Sequence, residues 1–313
     1  MGPVYSLPKR EAPARAERPR IPKETELNPV IPAARFALAL SFALAAAGAS
    51  AQTAPAESKD YTPQVGQSGK DVVWVPTPEA LVERMLRMAR VGPKDYVIDL
   101  GSGDGRTVIA AGKLGARATG IEYNPDMVDL SIKNAEKAGM GDKVKFLKAD
   151  IFESDFSEAT VITMYLLPSL NMKLRPKLLD LRPGTRLVSH AFNMEDWQPD
   201  QTVTVEGRDA YLWIVPAKAG GNWKLAVPAG SGEESWQVAL SQQFQRLAGK
   251  ATNDGKSFDL VDAKLTGSAV KFTFTDANGT KREFSGRVSG NKMEGTTQTQ
   301  GGTPVKWTAV RAS

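Results

Sequence analysis

From Tyr96 onward the hydrophobic positions switch repeatedly between two spacings. Short apolar runs at Tyr96–Leu100, Ala118–Glu122, Val144–Ala149, Thr160–Leu166 and Arg186–Ala191 read as buried strands. Between them, Arg106–Leu114, Pro125–Ala138 and Leu170–Leu181 carry apolar residues at helical spacing. Gln201–Val205 and Tyr211–Val215 close the series as an antiparallel pair. Alternating strand and helix predicts an α/β architecture, a mostly parallel sheet ending in a hairpin with helices on both faces. One further helix precedes it. Leu81, Val82, Met85 and Met88 share a face opposite Glu83, Arg84 and Arg87, with Thr77 as the expected N-cap and Pro78 at the first helical position.

The texture changes after Ala219-Gly220-Gly221. Trp236, Val238, Leu240 and Phe244 keep to even positions, and Val270, Phe272 and Phe274 alternate with Lys271, Thr273 and Thr275. Asn253-Asp254-Gly255, Asn278-Gly279 and Ser289-Gly290-Asn291 punctuate the stretch as turns, and Trp307, Ala309 and Arg311 end it. This pattern predicts a small antiparallel β domain over 220–313, a meander or small open barrel.

The start of the chain reads differently. Residues 1–34 are rich in Pro, Arg and Glu without clear periodicity, and the length of this stretch places the expected start of translation nearer Val30. Arg35 precedes the uncharged run Phe36–Ala51, which ends in the small-x-small triplet Ala49-Ser50-Ala51. That order reads as a secretory signal peptide cleaved after Ala51, giving a periplasmic or secreted protein with no stable membrane span; an uncleaved membrane anchor is the alternative. The expected division is 1–51 leader and signal peptide, 52–70 linker, 71–219 α/β domain and 220–313 β domain.

Composition narrows the chemistry. Across 313 residues there is no cysteine and one histidine, His190, which argues against disulfides, thiolate chemistry and a histidine or cysteine metal site. The net charge of +5 divides into +3 on residues 1–51 and +2 on all the rest. A near-neutral body speaks against nucleic acid as the partner.

The candidate chemistry sits where the first strand meets the first crossover helix. Gly101-Ser102-Gly103-Asp104-Gly105 forms a strand-to-helix turn whose backbone N–H groups can approach a ligand closely. The G-x-G-x-G spacing differs from the G-x-G-x-x-G of dinucleotide sites, which speaks against a nicotinamide enzyme. Asp99 offers a negative charge suited to an α-amino group. Glu122, ending the second strand, suits a ribose, and Asp150 after the third suits an adenine amino group; Asn124 and Ile151 complete the expected adenosine pocket. With these residues in order, residues 71–217 resemble the class I S-adenosylmethionine-dependent methyltransferases, which have a Rossmann-like fold. Val75-Pro76-Thr77-Pro78, Tyr165-Leu166-Leu167-Pro168 and Pro183 to His190 further resemble a branch containing mitochondrial protein-lysine methyltransferases. The resemblance implies S-adenosyl-L-methionine as cofactor and an amine acceptor, either a small molecule or a protein lysine. Tyr165 is the candidate for orienting that amine. His190, Trp197 and Trp213 read as structural. The competing reading is an exported, non-catalytic nucleoside-binding protein whose β domain binds a ligand or partner.

Overall fold

The computed structural model describes residues 61–229, 232–299 and 301–312. The expected leader and signal peptide (1–51) and residues 52–60 of the expected linker lie outside the described residues.

Seven strands form one sheet in the order β3-β2-β1-β4-β5-β7-β6. They are β1 (Tyr96–Leu100), β2 (Arg117–Glu122), β3 (Val144–Lys148), β4 (Val161–Met164), β5 (Arg186–His190), β6 (Gln201–Val205) and β7 (Arg208–Ile214). Strands β1 to β5 pair in parallel, while β7 runs antiparallel to both β5 and β6. The expected parallel sheet with a terminal hairpin is therefore present. Its central strands are apolar because both faces are covered. Val97, Val161 and Val188 face one layer with Val108 and Ala111 of α2 (Arg106–Lys113). Ile98, Ile162 and Leu187 face the other with Leu174 and Leu178 of α4 (Pro168–Leu179). Helix α3 (Pro125–Lys137) crosses from β2 to β3.

Helix α1 (Glu79–Met88) buries Leu81, Val82, Met85, Leu86 and Met88 and packs on α2 and on β5, β6 and β7. The expected N-cap is corrected here. Pro78 itself occupies the cap position without a side-chain cap bond, and the Thr77 hydroxyl lies 3.0 Å from His190 Nδ1. The Leu81 and Val82 N–H groups both donate to Pro78 O at 3.0 Å, so the first turn closes on the backbone while Thr77 meets the histidine. The fourth strand is also shorter than expected, because Tyr165 to Leu167 leave the ladder to line a cleft.

The edge of the sheet where the parallel strands begin is tied shut. Asp95 accepts hydrogen bonds from Thr160 Oγ1 at 2.8 Å, from the Gly92 N–H at 3.0 Å and from the Arg186 guanidinium. The opposite edge, where these strands end, stays open.

The C-terminal strands are β8 (Gly221–Ala229), β9 (Gly232–Gln243), β10 (Arg246–Asn253), β11 (Lys256–Asp259), β12 (Val261–Thr266), β13 (Ala269–Thr275), β14 (Lys281–Ser289), β15 (Lys292–Thr299) and β16 (Val305–Arg311). Pairing runs from β10 through β12 to β16, then to β8 and β9, and β9 returns to β10. The unit is thus a closed barrel rather than a meander or an open one. The short β11 extends the wall beside β10, and the β10–β12 seam rests on the Arg246–Lys264 pair. Closure leaves no long unpaired edge among the described strands of the barrel. The interior is filled: Phe272 and Phe284 stack at 4.9 Å between ring centres, Trp236 lies 4.7 Å from Phe274, and Trp307 meets Phe284 edge-on at 5.7 Å. Gly286 makes room for this packing, since a Cβ there would stand 2.6 Å from Trp307 Cζ2. The alternation expected for Phe244 fails. It sits in the β9–β10 turn at φ +52° and packs outside the barrel.

Candidate functional site

The open edge of the parallel sheet frames a cleft of about 530 Å³. Gly101, Gly103 and Gly105 have φ of +78°, +55° and +82°. A Cβ on Gly103 would come within 2.8 Å of Trp74 Nε1, and one on Gly105 within 2.8 Å of the Phe146 ring. The loop thus needs glycine both for its backbone path and for space. Gly101 N–H and Ser102 N–H donate to Ile121 O at 2.9 and 3.1 Å, which pins the loop to β2.

Glu122 is clamped in place. Its carboxylate accepts from Gly103 N–H at 3.0 Å and from Asn124 N–H at 2.9 Å. Asp99 lies deeper, at the end of β1. Burial raises its carboxyl pKa to about 7; the Thr163 hydroxyl, donating at 2.6 Å, opposes the rise, while the charges of Glu122 and Asp104 add to it. Asp104 turns to Arg106, bonded at 3.0 Å from Nε and 2.6 Å from Nη2, and Arg106 Nη1 donates to Thr77 O. The Ser102 hydroxyl is buried without a partner among the described residues.

Asp99, Gly101, Ser102, Gly103, Asp104, Glu122, Asn124, Asp150, Ile151 and Tyr165 all line this one cleft. Gly105 stands behind it at the start of α2. Two of these side chains have local work as well. Asn124 Oδ1 accepts from Asp126 N–H as the N-cap of α3. Asp150 accepts from Phe152 N–H at 2.9 Å and pairs with Lys70, and these bonds hold its carboxyl below the usual carboxylate range.

The other end of the cleft is apolar and aromatic. Met164, Leu166, Leu167, Leu170 and Phe192 line it beside Tyr165. The His190 ring lies 3.8 Å from that of Tyr165, and Phe192 stacks on Tyr165 at 6.1 Å. His190 is 2% exposed. Burial, helped by the charge of Arg208, lowers its pKa to about 4, so it is neutral near pH 7. Its Nδ1 meets the Thr77 hydroxyl at 3.0 Å, in keeping with a structural role. Trp197 and Trp213 are fully buried, and Trp213 Nε1 donates to Trp197 O.

Sequence reasoning missed one wall. Residues 64–77 fold over the cleft, with Gly66 N–H donating to Trp74 O and Trp74 N–H to Gln67 O. Lys70 and Trp74, from this stretch, line the cleft. The end of the expected linker therefore belongs to the site. Trp74, in the apolar run Val72–Val75 directly after the polar linker, was the available signal.

The comparisons agree with this geometry. The ANTKMT methyltransferase domain family matches residues 99–201, and a DNA methylase family matches 57–133. A protein-lysine N-methyltransferase of Saccharolobus islandicus is 43% identical over 151 residues, spanning 46% of this chain and 94% of the relative. The adenine nucleotide translocase lysine N-methyltransferase of Mus musculus is 36% identical over 45% of this chain and 61% of its own length. A solved RNA methyltransferase from Salinibacter ruber, in complex with S-adenosyl-L-homocysteine, is 54% identical over 46% of this chain and 95% of that one, with a TM-score of 0.45. Fold and site define an S-adenosylmethionine-dependent methyltransferase. The chain belongs to the family of the archaeal protein-lysine N-methyltransferase, and its residues 99–201 match the ANTKMT methyltransferase domain.

S-adenosylmethionine is its cofactor, and the residues present fit it. Among the carboxylates that line the cleft, Asp99, Glu122 and Asp150 suit a cationic nucleoside, and beside them stand the Ser102 hydroxyl, unpartnered among the described residues, and a loop with glycine at every second position.

Proposed function

We propose that this enzyme methylates the ε-amino group of a lysine in a protein acceptor. The observation that carries the reading is one cleft with two unlike ends. Carboxylates and bare backbone gather at one, and Met164, Tyr165, Leu166, Leu167 and Phe192 at the other.

In this reading the Gly101–Gly105 backbone approaches the cofactor, Asp99 meets its α-amino group and Glu122 takes its ribose hydroxyls. Asp150, Asn124 and Ile151 surround the adenine. When bound, S-adenosylmethionine supplies a methyl group activated by positively charged sulfur. The chain's own residues supply position and environment. An amine entering between Leu166, Leu167 and Phe192 leaves water, and desolvation lowers its pKa so that it arrives neutral. Tyr165 orients it, its ring backed by His190. No protein base is needed, because the wall itself favours the uncharged amine. The lysine named in the relatives' activities supports this acceptor. The leader supports a periplasmic or secreted setting and acceptors among envelope proteins.

The test is transfer of tritiated methyl from S-adenosylmethionine by the full chain to envelope protein, with mass spectrometry of the labelled residues. Label on lysine supports the reading. Label in added RNA instead overturns it, and cofactor binding without transfer points to the non-catalytic alternative.

A further inference from the structure

Three non-glycine residues in the left-handed backbone region fall on the two segments that meet where the barrel touches the α/β domain. Ala191 (φ +61°) and Glu195 (φ +54°) lie in the segment after β5, and Phe244 (φ +52°) lies in the β9–β10 turn of the barrel. An aromatic side chain is disfavoured in such a turn, where glycine or asparagine would be at ease. Strained residues of this kind persist where their side chains are held by specific contacts. The Phe244 ring stacks on Trp197 at 5.6 Å between centres, nearly parallel at 15°. Gln245 beside it accepts from Trp197 Nε1 at 3.0 Å and donates to Gln198 O at 2.7 Å. Arg175 of α4 lies over the Phe244 ring at 5.5 Å and donates to Met194 O at 3.2 Å.

The segment gripped in this way ends at the cleft. Its first side chain beyond Ala191 is Phe192, which lines the apolar end and stacks on Tyr165. Asn171, also on α4, donates to both Phe192 O and Asn193 O. We propose that the β9–β10 turn of the barrel is a positioning element for the acceptor end of the cleft, acting through Trp197 and residues 192–198 on Phe192. The barrel's interior is packed with its own aromatic rings, and this gives the domain a task that needs no ligand of its own. The proposal rests on the reading of the apolar end as the acceptor site. The cofactor end is built on β1 and β2, away from the segment that this turn grips.

The test compares Phe244→Gly with the wild-type full chain. Glycine removes the ring and relieves the backbone. Asp254→Gly is the control, because it relieves a similar φ of +48° in the β10–β11 turn. With poly-L-lysine as acceptor, Phe244→Gly raises the acceptor KM about tenfold while kcat and the Kd for S-adenosylhomocysteine stay within about twofold. Phe244→Trp restores the KM, and Asp254→Gly leaves it unchanged. Amide exchange in residues 192–198 quickens in Phe244→Gly and not in residues 99–105. An unchanged KM in folded Phe244→Gly, or equal losses at both ends of the cleft, overturns the proposal. Should the wild type transfer nothing to poly-L-lysine, the lysine reading is what fails. Amide exchange then decides alone: unaltered exchange in residues 192–198 rejects the positioning role.

Discussion

The two sheets of this chain solve the same packing problem in opposite ways. The barrel closes on itself and fills its centre with Trp236, Phe272, Phe274, Phe284 and Trp307. The parallel sheet is tied at one edge by Asp95 and left open at the other, where its loops turn aside. Buried polar groups follow that division. Among the described residues, the barrel buries Asp276 and Thr297, whereas the α/β part buries Asp99, Ser102, Thr163, Asn171 and His190 among others. Burying a polar group costs stability unless it is bonded. Asp276 is fully served, by Arg282 Nε and by the N–H groups of Asn278 and Thr280. Asp99 has one hydroxyl partner, and Ser102 has none among the described residues. Both parts hold buried atoms without a partner among the described residues, Trp236 Nε1 and Thr297 Oγ1 in the barrel and Ser102 Oγ and Asn171 Oδ1 in the α/β part, but of these four only Ser102 lines the cleft, where a ligand can complete it.

The largest expected effect breaks the barrel alone. Trp307→Ala removes a fully buried ring and should destabilise the protein by about 3–5 kcal/mol in urea unfolding, while the folded fraction binds S-adenosylhomocysteine as before. Loss of binding by folded Trp307→Ala protein would show that the two sheets are not separable in this way.

Next comes the loop. Gly105→Val meets both a left-handed backbone and the Phe146 ring. It should cost about 2–4 kcal/mol of stability and abolish cofactor binding measured by calorimetry. Glu122→Gln keeps the shape but removes the charge, and a weakening of S-adenosylmethionine binding by about 10–100-fold is expected.

Asp99 sharpens the comparison through pH. Its folded pKa, about 7, lies above that of an unfolded aspartate, so the folded apoprotein binds the extra proton. Apoprotein stability should therefore fall as pH rises from about 4 to 7 and level off above. Cofactor affinity should move the other way, tightening through the same window as the carboxylate forms. Asp99→Asn flattens both profiles; a pH-independent wild-type affinity between about pH 5.5 and 8 would rule out the pairing of Asp99 with a cationic group.

The smallest effect belongs to Lys70→Ala at the mouth of the cleft. An exposed ion pair with Asp150 contributes little, and the Kd should change by no more than about fivefold, with less difference at high salt.

Much of this was legible in the chain. The glycine loop, Glu122 and the succession of strands and helices along the chain follow from local spacing, and strands covered on both faces announce themselves as apolar runs. What escaped notice depends on contacts between distant segments. Residues 61–70 read as a polar linker because their distant partners, Met127 for Gln67 and Asp150 for Lys70, are set by folding rather than by period. Thr77 has the position of a helix cap, yet His190, far along the chain, takes its hydroxyl. Phe244 fits the alternation of its strand but turns outward to Trp197, and no pattern within the barrel could reveal a neighbour in another domain. Closure of the barrel escaped for the same reason, since the β9–β10 and β10–β12 pairings together make a ring that no single hairpin signals.

The most direct measurement is a crystal structure of the full chain grown with S-adenosylhomocysteine. The account predicts the nucleoside in the cleft beside Gly101–Gly105, both ribose hydroxyls within hydrogen-bonding reach of Glu122 and the amino group at Asp99. A cleft that remains empty at saturating ligand, or a nucleoside bound with Glu122 turned away from it, would contradict the account.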